Sequence, residues 1–245
     1  IDDIETINLE LILADLETVN RRYERVEKLA RQKDKEAVQE FNVVKKLKEA
    51  LEEEKPARMV ELTEEEQKIA KQLHLLTAKP ILYVANVSEN DITDIDSNEH
   101  VKKVQEYAAK ENARVIVVSA KIEEEIAELD PEEKELFLSE LGIEQSGLDQ
   151  LIRAAYDLLG LGTYFTAGEK EVRAWTFKKG MKAPEAAGII HSDFERGFIR
   201  AETVSYEDLM DAGSMAKARE NGKVRLEGKD YIVQDGDVIH FRFNV

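Results

Sequence analysis

The sequence predicts a chain of mixed class: an antiparallel α-helical hairpin, then an α/β segment, then a small α+β domain of the β-grasp, ubiquitin-like type. Three observations carry this. Apolar residues Leu9, Ile12, Leu16, Val19, Tyr23, Val26 and Ala30 recur at alternating spacings of 3 and 4, the seam of a coiled coil. Two apolar runs, ILYVA at 81–85 and RVIVV at 114–118, flank one helical pattern, as a parallel strand–helix–strand unit requires. From Gly162 onward, short β-forming runs alternate with turn residues and one short helix.

Taken in order, the first helix is laced with mixed charge at Glu17, Arg21, Arg22, Glu24, Arg25 and Glu27, a solvated face. RQKDKE at 31–36 has no apolar side chain and predicts the hairpin tip. The return helix presents Ala37, Phe41, Val44, Leu47 and Leu51, and stops before Pro56, which disfavours helical geometry in the residue preceding it. Thr63 with Glu66 predicts a capping box on a third helix with Ile69 and Leu73 on its apolar face. Nothing in the heptads distinguishes a partner-binding rod from a spacer.

Strand 81–85 should be covered on both faces and run into Asn86-Val87-Ser88-Glu89. Residues 98–110 predict the crossing helix, with Val101, Val104 and Ala108 inward. Asp130-Pro131 predicts a helix start, with Gly142 at its end. Ser146 opens another helix with Leu148, Leu151, Ile152, Ala155 and Leu159 apolar, ending at Gly160. The acidic runs 123–125 and 132–135 are expected to be solvated. Beyond Gly162, strands are predicted at 172–177, 198–204, 224–226, 231–233 and 238–243, with a helix after Pro184 and a helical turn at 206–210. The expected core of this domain is Val172, Trp175, Phe177, Ile189, Phe198, Ile199, Val204, Ile232, Val238, Ile239 and Phe241. The divisions are 1–77, 78–161 and 162–245.

The 245 residues carry a net charge of −17, of which residues 1–160 hold −16 and residues 161–245 only −1. The acidic balance argues against indiscriminate nucleic-acid binding and leaves room for one docking patch on the near-neutral last third. With no cysteine, no apolar run of membrane-spanning length and no basic-then-apolar leader, the expectation is a cytoplasmic, monomeric protein that engages neither membrane nor DNA. The four histidines, His74, His100, His191 and His240, lack metal-ligand spacing, so no metal site is expected in these residues.

Ligands of open α/β sheets sit beyond the carboxyl ends of the strands, where NVSE follows one strand and Ser119-Ala120-Lys121 the other. NxxE alone could be a strand-end turn with a solvated glutamate. Strand–NxxE followed by strand–SAK resembles the fourth and fifth motifs of a P-loop GTPase-type domain, with Val87 and Glu89 in place of the usual Lys and Asp. That variant, the helical hairpin and the stretch FTAGEKEVRAWTFKKGMKAPEAAGIIHSDFERGFIRAE with YIVQDGDVIHFRFN together resemble the YchF family, Obg-related ATPases that prefer ATP to GTP.

The resemblance spans essentially the whole chain and implies a coiled-coil insertion, the C-terminal half of a P-loop NTPase domain and a C-terminal TGS domain. It implies that Asn86 ties the base loop to the phosphate loop, that Glu89 faces the base edge, that the Val87 backbone contacts adenine, and that Ser119 and Ala120 back the ring through main-chain groups. No G-x-x-x-x-G-K-[ST] occurs in these residues. The phosphate ligands of ATP (or GTP) and the Mg2+ ligands are therefore expected in a preceding segment, and this chain alone is expected to be inactive. TGS domains also occur in proteins that meet tRNA or the ribosome, which implies a ribosomal or RNA partner and a regulatory role in translation or stress. Arg173, Lys178, Lys179 and Lys182 form the basic cluster of the last domain, equally an RNA contact or a solvated turn. The alternative to an ATPase is a non-catalytic RNA- or ribosome-binding scaffold.

Overall fold

The computed structural model describes residues 1–32, 34–168 and 171–244, which form two compact units, Ile1–Ala154 and Ala155–Val245. Lys33 of the expected hairpin tip lies outside the described residues.

Helices α1 (Asp2–Ala30) and α2 (Lys35–Glu52) pack along one another through Ile12, Val19 and Val26 on one and Ala37, Val43, Val44, Leu47 and Leu51 on the other. The 3-and-4 spacing puts these side chains on one stripe, and burying each large one stabilises by roughly 1.5–3 kcal/mol. Leu9, expected in the seam, is exposed, and Val43, not expected, is buried. Tyr23 packs on Phe41 and carries the Lys48 ammonium 4.7 Å from its ring centre. Asp34 caps α2 by accepting from the Ala37 N–H. The Thr63–Glu66 capping box opens α3 (Glu64–Lys71) as expected, and Ile69 and Leu73 pack against the hairpin.

The chain leaves this helical layer through a buried polar lock. Asp15, on the inner face of α1, accepts from the Leu76 N–H at 2.7 Å, the Thr77 N–H at 2.7 Å and the Thr77 hydroxyl at 2.6 Å. The Thr77 hydroxyl in turn accepts from the Ala57 N–H. Nearby, Arg58 forms a 2.6 Å ion pair with Glu111, both nearly closed to solvent.

Strands β1 (Leu82–Asn86) and β2 (Arg114–Val118) are parallel, in register from Leu82 against Arg114 to Asn86 against Val118. Between them runs α4 (Glu99–Lys110), capped by Asn98. Contrary to expectation, β1 is not covered on both faces: Val84 is 45% exposed. With only β2 beside it in this two-stranded sheet, its apolar run lacks the layers that such a run normally meets.

Three helices follow β2, not two. Helix α5 (Ala120–Ala127) starts immediately after Ser119, followed by α6 (Pro131–Glu140) and α7 (Gly147–Leu158). The Asp130 capping box starts α6, and Gly142 follows its end at φ 71°. Glu123, expected to be solvated, instead accepts from the Gly147 N–H at 2.6 Å and holds the start of α7. The apolar face expected on α7 is largely uncovered, with Leu148, Ile152 and Leu159 exposed.

The second unit holds a five-stranded sheet built from β3 (Leu161–Ala167), β4 (Val172–Lys178), β5 (Phe198–Ser205), β6 (Arg225–Glu227) and β7 (Asp237–Phe243), in the order β4-β3-β7-β5-β6. The β3–β7 pair is parallel and the other pairs are antiparallel. Helices α8 (Ala183–Ile190), α9 (Ser192–Arg196), α10 (Tyr206–Ala212) and α11 (Met215–Glu220) connect them.

One sheet face meets α8 through Tyr164, Phe177, Phe198, Ala201, Ile239 and Phe241. Three alanines of α8, Ala183, Ala186 and Ala187, let the helix lie close, and the Tyr164 hydroxyl donates to the Ala186 carbonyl at 2.8 Å. Gly162 is required here, since a Cβ would come within 2.8 Å of the Phe177 ring. The other face is partly roofed by α10 and α11, over Val204, Val238 and Phe165.

Several sequence expectations fail in this unit. β3 was not expected, because its Gly, Thr and Ala hide its period. Residues 231–233 form no strand, only a bridge from Ile232 to Lys182. Val172, Ile189, Ile199 and Ile232 are exposed. Because β3 begins at Leu161, paired with Lys178, a fragment starting at Ala155 is expected to unfold in one cooperative transition with a near-UV signal from Trp175. A non-cooperative melt of that fragment would show that its core does not stand alone.

Candidate nucleotide-base site

The carboxyl ends of β1 and β2 bring the two expected motifs together. The ladder extends one step past β1, where the Val87 N–H donates to the Val118 carbonyl at 2.8 Å. This fixes the loop that follows, whose Ser88 hydroxyl pairs with Asp91 at 2.7 Å. Asn86 points its Oδ1 across to the other strand end and accepts from the Ala120 N–H at 3.0 Å. Ala120 is the first residue of α5, so its N–H has no partner within the helix. Asn86 therefore acts as a cap supplied from a neighbouring strand.

Two features follow at this corner. The Ala120 main-chain donor is already engaged, so it does not stand free for a base. The described partner of Asn86 is the SAK segment. Ser119, also expected at the site, is 2% exposed, and its hydroxyl has no hydrogen-bond partner among the described residues. A buried unpaired hydroxyl costs about 1–3 kcal/mol, which marks this corner as under-satisfied.

Glu89 does not face open solvent alone. The Lys121 ammonium lies against its Oε1, an ion-pair contact without good hydrogen-bond angles to that atom. Glu125, one turn along α5, stands 3.9 Å from the same ammonium. The Glu89 contact raises the Lys121 pKa, with the field of Glu89 adding to it. Lys121, the last residue of the SAK motif, is a site residue whose role the motif alone does not reveal. Glu89 and Lys121 meet because β1 and β2 are parallel and in this register, and the register is what no local pattern encodes.

The basic cluster of the second unit lies on β4 and just beyond its end. Lys178 ends β4. Lys179 pairs with Asp157 at 3.0 Å and Lys182 with Asp230 at 2.8 Å. The Asp230 hydrogen bond raises the Lys182 pKa, and the same bond lowers that of Asp230. Arg173 lays its guanidinium 4.2 Å over the Trp175 ring and stands 3.9 Å from Glu171. Three of the four cations therefore face a carboxylate of the same unit. No helix among the described residues is long and apolar enough to cross a membrane.

Comparison with known proteins gives a consistent picture. The family YchF-GTPase_C, described as a protein of unknown function (DUF933), matches residues 161–244. The whole chain is 76% identical over 245 residues to the ribosome-binding ATPase YchF of Bacillus subtilis (strain 168), covering 67% of that protein. It is 51% identical over 244 residues to the protein of the same name from Escherichia coli O157:H7, covering 66% of it. Among solved structures, the YchF GTPase of Schizosaccharomyces pombe superposes with a TM-score of 0.87 at 33% identity, over 98% of this chain and 65% of that one. The chain thus spans about two thirds of the length of the relatives it matches.

Proposed function

Because this chain belongs to the YchF family, we propose that it is the base-binding and ribosome-docking part of a cytoplasmic ribosome-associated ATPase. Residues 1–77 serve as its coiled-coil arm, 78–161 as the C-terminal half of its P-loop domain, and 162–245 as its TGS domain. The sheet order β4-β3-β7-β5-β6, with a parallel central pair, supports a β-grasp reading of the last part.

The observation behind the nucleotide assignment is the convergence of Asn86, Glu89 and Lys121 at the ends of two parallel strands. Guanine offers a carboxylate two adjacent donor groups. Adenine's edge offers one donor, its amino group, beside an acceptor nitrogen. A carboxylate already holding an ammonium presents an acceptor beside a donor, which complements adenine better. In this reading Glu89 accepts from the amino group and Lys121 donates to the ring nitrogen. The Val87 backbone borders the base, and Ser119 and Ala120 form the floor behind it, with Asn86 holding that floor in place. When bound, the nucleotide would supply the phosphoryl group and Mg2+ would neutralise its charge. The ligands for both lie outside these residues, which contain no phosphate-binding loop sequence. Arg173, Lys178, Lys179 and Lys182 contribute one RNA-side contact, weakened by the carboxylates that face Arg173, Lys179 and Lys182.

The 245-residue chain is expected to sediment with ribosomes and to hydrolyse no ATP above background. Robust turnover by these residues alone would overturn the assignment of the phosphate site elsewhere. Failure to sediment would remove the docking role from this part of the protein.

A further inference from the structure

The second unit carries a group of cations that no sequence window contains. Alternate residues of a strand share a face, and the face of the sheet away from α8 holds Arg200 and Glu202 on β5 with His240 and Arg242 on β7. The antiparallel register sets Arg200 directly opposite Arg242 and Glu202 opposite His240. From α11, Arg219 reaches the same place. Glu202 is buried and accepts from Arg242 Nε at 3.0 Å on one oxygen and from an Arg219 terminal nitrogen at 3.1 Å on the other. The Arg242 hydrogen bond chiefly holds the Glu202 carboxyl below the usual range, against the opposing effect of burial.

The arrangement is a costly one for the fold alone. Like charges directly opposite on neighbouring strands destabilise a sheet, and Arg200 has no ion-pair partner among the described residues. One carboxylate serves two guanidinium groups, so the cluster of three arginines and Glu202 keeps a net charge of about +2. It does so on a stretch of chain, residues 161–245, whose total is −1. Each engaged guanidinium uses one N–H on Glu202, and the Arg219 and Arg242 side chains stay 60% and 50% exposed. The remaining donors of these planar forks are left for an external partner, and phosphate is the group they fit in pairs. Glu202 thus orients the arginines without neutralising them.

We propose that the Arg200–Arg219–Arg242 face is a phosphate-backbone contact for ribosomal RNA, with Glu202 as its positioning residue. The proposal rests on the ribosome-docking reading above and names the surface that carries it. It differs from the Lys178–Lys182 turn, where Lys179 and Lys182 each face a carboxylate of the same unit.

Arg200→Glu is the test, because it should not harm folding: a carboxylate opposite Arg242 replaces repulsion with attraction. The 245-residue chain, Arg200→Glu, Arg200→Lys and the double variant Lys178→Glu with Lys179→Glu are compared for sedimentation with purified ribosomes. Filter binding to purified ribosomal RNA over a salt series follows. Arg200→Glu is expected to melt no lower than the parent, to lose roughly tenfold in RNA affinity at about 0.15 M salt, and to flatten the log–log salt slope by about one. Arg200→Lys should keep the slope, since the charge stays. Unchanged RNA affinity for Arg200→Glu, with the parent binding, overturns the proposal. So does loss of binding confined to the lysine double variant. Sedimentation with ribosomes but no binding to free ribosomal RNA would assign the face to a protein partner and likewise overturn it. A parent that does not sediment with ribosomes fails the docking reading itself, separately from any variant.

Discussion

Replacing Asp15 with alanine is expected to lower the unfolding free energy of the first unit by about 2–5 kcal/mol, because neutral donors lose their acceptor at about 1–3 kcal/mol each. Asp15 is 3% exposed and accepts three hydrogen bonds, from Leu76 and twice from Thr77. Hydrogen bonds to a charged group contribute about 1.5–3 kcal/mol each, though not additively. Truncation would leave the buried Thr77 N–H and the half-buried Leu76 N–H without their acceptor, and a gap between Ile12 and Val19.

Asp15→Asn is the informative control. It keeps the volume but turns an NH2 group toward donors, so it should recover only a part of the loss. The measurement is urea denaturation followed by far-UV circular dichroism. Trp175 is the single tryptophan and lies in the second unit, so its fluorescence reports that unit separately. A loss below about 1 kcal/mol for Asp15→Ala would mean that water replaces the carboxylate and that the lock is dispensable.

The second large effect concerns base preference in the intact protein. Val87→Lys with Glu89→Asp is expected to shift the ratio of ATP to GTP affinity toward GTP by roughly one to two orders of magnitude. This follows from gaining one charged hydrogen bond to guanine, worth about 1.5–3 kcal/mol. The shorter aspartate draws back from Lys121, which frees both carboxylate oxygens for guanine's paired donors. Lys121→Ala in the parent should move the ratio in the same direction by a smaller amount, because it leaves Glu89 free but too long. Competition binding with both nucleotides reads the ratio directly. A ratio unmoved by all of these substitutions would remove Glu89 and Lys121 from the base site.

The helical part was legible because its determinants are local. The seam from Ile12 to Val26, the tip at Asp34, the Thr63–Glu66 box and the Asp130-Pro131 start each lie within a few residues of what they control. The strands of the site were legible as apolar runs, and their parallel pairing followed from the helix between them. Burial was less legible. Val84 and Leu148 are apolar yet exposed, because burial depends on which layer arrives from elsewhere, not on the residue.

Sequence by itself therefore determined the order of helices and strands, the place of the NxxE and SAK motifs and the family to which they point. Those features depend on local backbone preference and on side-chain periodicity. Only the tertiary structure decided what the polar groups do. It gave the Ala120 N–H to Asn86, set Lys121 against Glu89, locked Asp15 onto Thr77 and gathered Arg200, Arg219 and Arg242 around Glu202. Each of these contacts joins residues far apart in the chain. Their energies depend on ångström-scale distance and on exclusion of water, and neither exists until the elements have packed.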